Sequence, residues 1–348
     1  MNNNAQFLKN IWYLSAWETE LGDGSLARTI ADVPLLFLRT DDGVSALLDR
    51  CPHRFAPLSC GQVKTDHVVC GYHGLAFGAD GKCVSNPHGP IVSALQVPTF
   101  PAVLRHAAVW VWLGDREAAD PALIPDMHFI DRAGPAARVE GHLENEAHYM
   151  LMVENIMDLS HADYLHATTL GNGINTIAKT KVEVGERSIT VRWSADDHVL
   201  PPVQDAVMPR PGQPAFFRND VEWSAPGAMV QTMIFGPADQ PEQIVGDSVT
   251  AHVMTPMSAT RTHYFFCHTS NLVSAQPEMV PQIREILLGA FAGEDSPMLA
   301  AQQTRIGSAD FWDLGPVLLP SDVAAVRVRR RMDQLLAAER GDSVEQPA

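Results

Sequence analysis

Two short segments constrain this chain more than any others: Cys51-Pro52-His53 and Cys70-Gly71-Tyr72-His73. Each supplies one cysteine and one histidine, and sixteen residues lie between His53 and Cys70. Two thiolates and two imidazoles on two loops match a Rieske 2Fe–2S cluster, in which one iron takes two Cys and the other takes two His. The neutral imidazoles make such a cluster less negative than an all-Cys one and raise its potential. Zinc also accepts two Cys and two His, but a zinc finger usually pairs Cys with Cys and His with His. Here each loop carries one of each. Pro52 stiffens the first loop and Gly71 and Gly74 bracket the second, so backbone amides can point at the cluster sulfides.

The residues around these loops read as β. Segments 34–38 and 44–48 flank the turn Thr40-Asp41-Asp42-Gly43, and 108–113 is a further strand stopped by Gly114-Asp115. A Pro-punctuated stretch from Asp120-Pro121 to Gly134-Pro135 marks a boundary. The chain is expected to divide into domains 1–125 and 126–348, each long enough to bury a core. In the second domain a helical pattern covers 149–160. Strand patterns cover 180–184, 188–193, 228–235, 249–255 and 262–269, and helices cover 281–303 and 321–340 with Ser321 or Asp322 as N-cap. The fold class is therefore α+β: an N-terminal all-β domain, then an antiparallel sheet with helices packed on it. Residues 199–217 hold five prolines and little periodicity; such a loop is expected to be a flap over a pocket.

Composition excludes several classes. The net charge of −16 argues against nucleic acid. No apolar run reaches the length of a membrane span, and Met1-Asn2-Asn3-Asn4 does not open a signal peptide. Of five cysteines, Cys60, Cys83 and Cys267 lie outside the cluster motif. They are expected to be small buried or half-buried apolar residues in a reducing cytoplasm.

A second motif runs from Glu154 to His166. Asn155, Asp158 and His161 are spaced three apart and share a helix face. His161 and His166 are five apart, about 140° around an ideal helix. Both reach one ion only if the helix ends, kinks or bulges near Ser160–Asp163. Two histidines suggest the two-His-one-carboxylate triad of non-haem Fe(II). Pattern alone leaves the carboxylate open among Glu285, Glu294, Asp295 and Asp310.

Together these motifs resemble the α-subunits of Rieske non-haem iron oxygenases, nearest the vanillate O-demethylase and dicamba monooxygenase group. The resemblance covers nearly the whole chain. It includes Asn10-Ile11-Trp12-Tyr13, Cys-Pro-His-Arg-Phe-Ala-Pro-Leu-Ser (51–59), Tyr-His-Gly-Leu (72–75), Trp-Val-Trp-Leu-Gly-Asp (110–115) and Ala-Val-Arg-Val-Arg-Arg (325–330). The family's carboxylate segment resembles Ala-Gly-Glu-Asp-Ser-Pro-Met-Leu (292–299), which implies Asp295 as third ligand beside His161 and His166. It further implies a helix-grip catalytic domain with a long helix, and a homotrimer. In that trimer Asp158 is hydrogen-bonded to His161 and bridges to a neighbouring His73, while Asn155 tunes the vacant face of the iron. Gln231 and His252 fall on pocket-facing strand positions, as hydrogen-bond or ion-pair partners of a substrate acid or phenol. The implied activity is a terminal oxygenase fed by a separate flavin-containing reductase or a ferredoxin, using O2 to O-demethylate a small methoxylated aromatic acid. Methyl hydroxylation and N-dealkylation are the alternatives within the family. No nucleotide fingerprint of the GxGxxG type occurs. A bare Rieske electron carrier would need only the first domain.

Overall fold

A computed structural model describes residues 6–22, 24–64 and 67–341; the Met1–Asn4 reading lies outside them. The described residues form two compact units, one of Phe7–Pro125 with Thr255–Ser258, the other of Asp126–Met254 and 259–341 with Gln6.

The first unit is built from three small antiparallel sheets. One joins Trp12–Trp17, Ala108–Trp112 and Ala102–Arg105; the second joins Ser25–Ile30, Val33–Thr40, Gly43–Leu48 and Thr99–Phe100. The third joins Gln62–Val63, His67–Val69, Ala76–Gly78 and Cys83–Ser85. The strand Val33–Thr40 separates two cores. Side chains alternate across a strand, so Leu35 and Phe37 pack with Tyr13, Val109 and Val111. Leu36 and Leu38 pack on the other side with Leu47, Val68, Phe77, Cys51 and Cys70. Continuous hydrophobicity at residues 35–38 thus reflects burial on both faces.

The two Cys/His loops share one backbone design. Cys51 N–H donates to Ala56 O and Phe55 N–H to Cys51 O; Cys70 N–H donates to Leu75 O and Gly74 N–H to Cys70 O. The fifth residue of each loop is left-handed, Phe55 at φ +61° and Gly74 at φ +73°. Gly74 takes that conformation without the steric cost a Cβ adds.

The second unit holds a seven-stranded antiparallel sheet. Its strands are β1 (Val139–Asn145), β2 (Lys179–Val184), β3 (Ser188–His198), β4 (Ala215–Ser224), β5 (Ala228–Pro237), β6 (Gly246–Ser258) and β7 (Arg261–Ser270). They lie in the order β1-β7-β6-β5-β4-β3-β2. The principal helices are α1 (Tyr149–Met157), α2 (Val280–Leu288), α3 (Ser296–Ile306) and α4 (Val323–Arg340). Strands β1 and β4 were not anticipated, because Gly141, Asn145 and Asn219 stand at buried positions where an apolar side chain would mark the inward face.

Helix α1 is almost wholly buried. Burial pulls the His148 imidazole down to about 4, a smaller push coming from Arg329. The neutral Nδ1 then accepts from Met150 N–H and caps the helix. The helix stops at Met157, because Asp158 turns extended at φ −128°, ψ 93°. This is slightly earlier than the Ser160–Asp163 region the ligand spacing suggested. The expected helix 281–303 runs from Val280 to Ile306, with a π-helical turn, Gly289–Asp295, between α2 and α3. Asp322 precedes α4, but its carboxylate accepts from Leu319 N–H rather than capping that helix.

The 199–217 segment is packed rather than structureless. It contains the turn Pro202–Asp205, buries Leu200 and Met208 against Ile174 and Phe217, and enters β4 at Ala215. Val203 N–H donates to Thr169 O, just past His166. Cys83 and Cys267 are buried as expected, whereas Cys60 is exposed, since its short 3₁₀ turn buries only Leu58. Among the described residues, no helix is long and apolar enough to cross a membrane.

Glu154 of α1 receives two guanidinium bonds from Arg329 of α4, at 2.5 and 2.8 Å. The Arg329 guanidinium also stacks 4.0 Å over Phe311. Both side chains are largely buried, at 12% and 17% exposure. Arg329→Met leaves a buried carboxylate unpaired and is expected to cost roughly 3–5 kcal/mol, read as a lowered urea midpoint of the second unit.

Candidate metal centres

The first unit places its four predicted ligands at one tip. Cys51 and Cys70 are each 2% exposed, while His53 is exposed and His73 half-buried. The two imidazoles lie 4.5 Å apart between centroids, inclined at 69°. Burial pushes the Cys51 thiol up, and the amides of His53 and Arg54 oppose it by hydrogen bonding. The Cys70 thiol is close enough to share a hydrogen bond with Cys51. Buried sulfur with amides aimed at it becomes a favourable thiolate once a cation neutralises it. His73 is held below the usual imidazole range by desolvation and by His53, His88 and Arg54. That direction favours the neutral form a ligand needs. His88, from a third loop, bonds the His73 carbonyl at 2.8 Å. Two sulfurs inward and two imidazoles outward fit a 2Fe–2S cluster with one Cys-bound and one His-bound iron.

The second unit brings His161, His166 and Asp295 together, with ligating atoms of all three mutually within 4.8 Å. Asp295 Oδ1 is 3.2 Å from His166 Nε2 and 3.6 Å from His161 Nε2. Metal bonds of ~2.1 Å at right angles separate donors by ~3 Å, so the set fits one small ion. His166 and Asp295 are buried and His161 is partly exposed. The break at Asp158 makes this possible: after it, His161 ends a 3₁₀ turn and His166 follows the short helix Ala162–Leu165. Of the four acids the pattern left open, only Asp295 joins the triad.

Each ligand also has an outer partner. Asn155 Nδ2 donates to Asp295 Oδ1 at 3.2 Å. His161 Nδ1 lies 2.6 Å from the Asp158 main-chain oxygen. The expected Asp158–His161 bond thus runs through the backbone, because the extended Asp158 turns its carbonyl to the ring. Its carboxylate Oδ1 instead accepts from Ser160 N–H. Oδ2 has no partner among the described residues. Glu294 Oε2 lies 2.6 Å from His166 Nδ1. Desolvation lowers the His166 pKa, but Asp295 and Glu294 outweigh it and the net direction is up.

Gln231 and His252 form a hydrogen-bonded chain. Gln231 Nε2 donates to Asn219 Oδ1, which directs its Oε1 to His252 Nε2 at 3.0 Å. His252 then carries its proton on Nε2, and Nδ1 accepts from the Tyr264 hydroxyl at 2.7 Å. Burial pulls His252 down to about 3, with a further push from His268 and a counter-pull from Asp295. His252 is therefore neutral, with its N–H spent on Gln231, and is not the cation an ion pair needs. Asn219 and Tyr264 were not legible in sequence, since nothing local distinguishes them from other strand residues. Phe291 closes the chain, with its ring 5.8 Å from His252, 5.3 Å from Tyr264 and 5.2 Å from Phe266.

Known proteins match this chain through both units. Residues 11–101 match the Rieske 2Fe–2S domain, and residues 145–338 match the vanillate O-demethylase oxygenase C-terminal domain. The oxygenase component of dicamba O-demethylase from Stenotrophomonas maltophilia is 36% identical, covering 94% of this chain and 98% of the relative. The oxygenase component of chloroacetanilide N-alkylformylase from Rhizorhabdus wittichii is 35% identical, covering 96% and 97%. A crystal structure of dicamba monooxygenase with non-heme iron and dicamba superposes with a TM-score of 0.81 at 34% identity, covering 97% and 99%. Similarity of this extent through both units makes the protein a Rieske-type oxygenase, an α-subunit related to the dicamba and vanillate O-demethylase oxygenases.

Proposed function

We propose that this chain O-demethylates a small methoxylated aromatic acid with O2 and electrons from a separate reductase. Residues 1–125 hold a 2Fe–2S cluster through Cys51, His53, Cys70 and His73. Residues 126–348 hold Fe(II) through His161, His166 and Asp295. When bound, the two groups supply one-electron transfer and O2 activation. The observation that carries the reading is the turn Gly289–Asp295: its Asp295 faces the two histidines while its Phe291 packs on His252 and Tyr264. An aromatic wall and a neutral donor-acceptor pair therefore adjoin the metal ligands.

The protein groups have separate tasks. Asn155 fixes the carboxylate of Asp295, and His161 and His166 keep their protons on Nδ1 so that Nε2 is free to ligate. The Gln231 amide, its Oε1 held by His252 and one Nε2 hydrogen by Asn219, offers its second N–H to the substrate acid, while Phe291 excludes water. One oxygen atom enters the O-methyl group and the other leaves as water, with two electrons and two protons consumed. The hemiacetal collapses to a phenol and formaldehyde. The chain works as a cytoplasmic homotrimer. In it Asp158 bridges His161 to the partner subunit's His73. The donor is a flavin-containing reductase, directly or through a ferredoxin.

A second reading, removal of an N-alkyl group, is favoured by the chloroacetanilide relative. With a surrogate reductase and NADH, methoxybenzoates should release formaldehyde in step with phenol. Formaldehyde from N-alkyl anilides alone supports the second reading, and hydroxylated product without formaldehyde overturns both. Asp158→Ala should keep cluster and iron yet lose about 100-fold or more in turnover, the upper end of outer-partner effects. Retained turnover in a colour-intact variant removes the bridge.

A further inference from the structure

Glu294 and Asp295 are consecutive, yet both carboxylates reach the same imidazole. Asp295 Oδ1 stands 3.2 Å from His166 Nε2, and Glu294 Oε2 stands 2.6 Å from Nδ1 on the opposite side of the ring. Neighbouring side chains on a regular α-helix diverge by about 100°. Here both acids close a π-helical turn, a local widening that often marks functional sites. The His161 ring is held differently, since its Nδ1 meets the neutral Asp158 carbonyl. The His166 side chain is 3% exposed and that of His161 is 23% exposed.

We infer that Glu294 is a positioning residue for the iron: its carboxylate fixes the His166 ring with Nε2 aimed inward and makes His166 the stronger imidazole donor of the two. A metal on Nε2 leaves the remaining ring proton on Nδ1, where Glu294 is its only acceptor among the described residues. A charged acceptor strengthens that hydrogen bond and shifts electron density toward the metal-bound nitrogen. The His161 partner carries no charge and does this more weakly. Glu294 also brings a second negative charge beside Asp295, so that the two acids balance a ferrous ion. Loss of that charge should raise the ferric/ferrous potential. The proposal rests on His161, His166 and Asp295 being the iron ligands.

The test compares full-length, cluster-loaded wild type with Glu294→Ala, Glu294→Gln and Asp295→Ala. Fe(II) affinity is read by chelator competition and ligand geometry by the visible spectrum of Co(II) loaded in place of Fe(II). Far-UV circular dichroism and a urea midpoint like that of wild type report that the second unit of each variant is folded. Glu294→Ala should weaken Fe(II) binding by about 10–100-fold and shift the Co(II) bands. Glu294→Gln, which keeps a neutral acceptor, should recover part of the affinity while raising the potential. Glu294→Ala with wild-type affinity and an unchanged Co(II) spectrum overturns the proposal. If Asp295→Ala also binds Fe(II) like wild type, the ligand assignment itself fails; if Asp295→Ala alone loses it, only the role of Glu294 fails.

Discussion

The second unit is organised by the convergence of the His161, His166 and Asp295 side chains from two segments far apart in sequence. His161 and His166 lie on the segment after α1, and Asp295 lies more than a hundred residues later. Regular α-helices do not present these atoms to one point. Both helices depart from α geometry where the donors sit: α1 breaks at Asp158, and the α2–α3 helix opens into a π turn that ends at Asp295. Packing holds the two segments in place. Gln303 of α3 accepts from His148 N–H at the start of α1, and Arg329 of α4 grips Glu154 on the same helix. The Ala-Val-Arg-Val-Arg-Arg stretch thus has a physical role through its Arg329.

The same turn organises the surroundings. Its Phe291 packs on His252, Tyr264 and Phe266, so one turn carries both Asp295 and the ring that backs the buried polar chain of the sheet. The chain Tyr264–His252–Gln231–Asn219 is directional, and burial keeps its imidazole neutral. Both ring nitrogens of that imidazole are used within the chain.

Legibility followed how local each signal is. The cluster motif was readable because its donors sit within two short loops. The repeated hydrogen-bond pattern of those loops explains why a glycine stands at position 74, while Phe55 takes the same left-handed conformation in the first loop. The need for a break near His161 followed from spacing alone, but its position at Asp158 did not, because a side-chain pattern does not reveal where a carbonyl turns. Asp295 was separated from Glu294 only by resemblance. In three dimensions the two acids take opposite sides of one ring, a distinction no spacing rule contains. Strands β1 and β4 escaped because Gly141, Asn145 and Asn219 take inward positions that an apolar residue would have marked. The proline-rich segment before β4 was read as a loop, although Leu200 and Met208 pack it into a core.

The central claim is that one chain carries a two-iron cluster and a separate single iron. Counting iron and acid-labile sulfide in the purified, reconstituted protein tests it most directly. The account predicts three irons and two sulfides per chain, two irons and both sulfides from the cluster and one iron from the triad, together with a Rieske-type EPR signal on reduction. Two irons and two sulfides, or a colourless zinc protein, would contradict it.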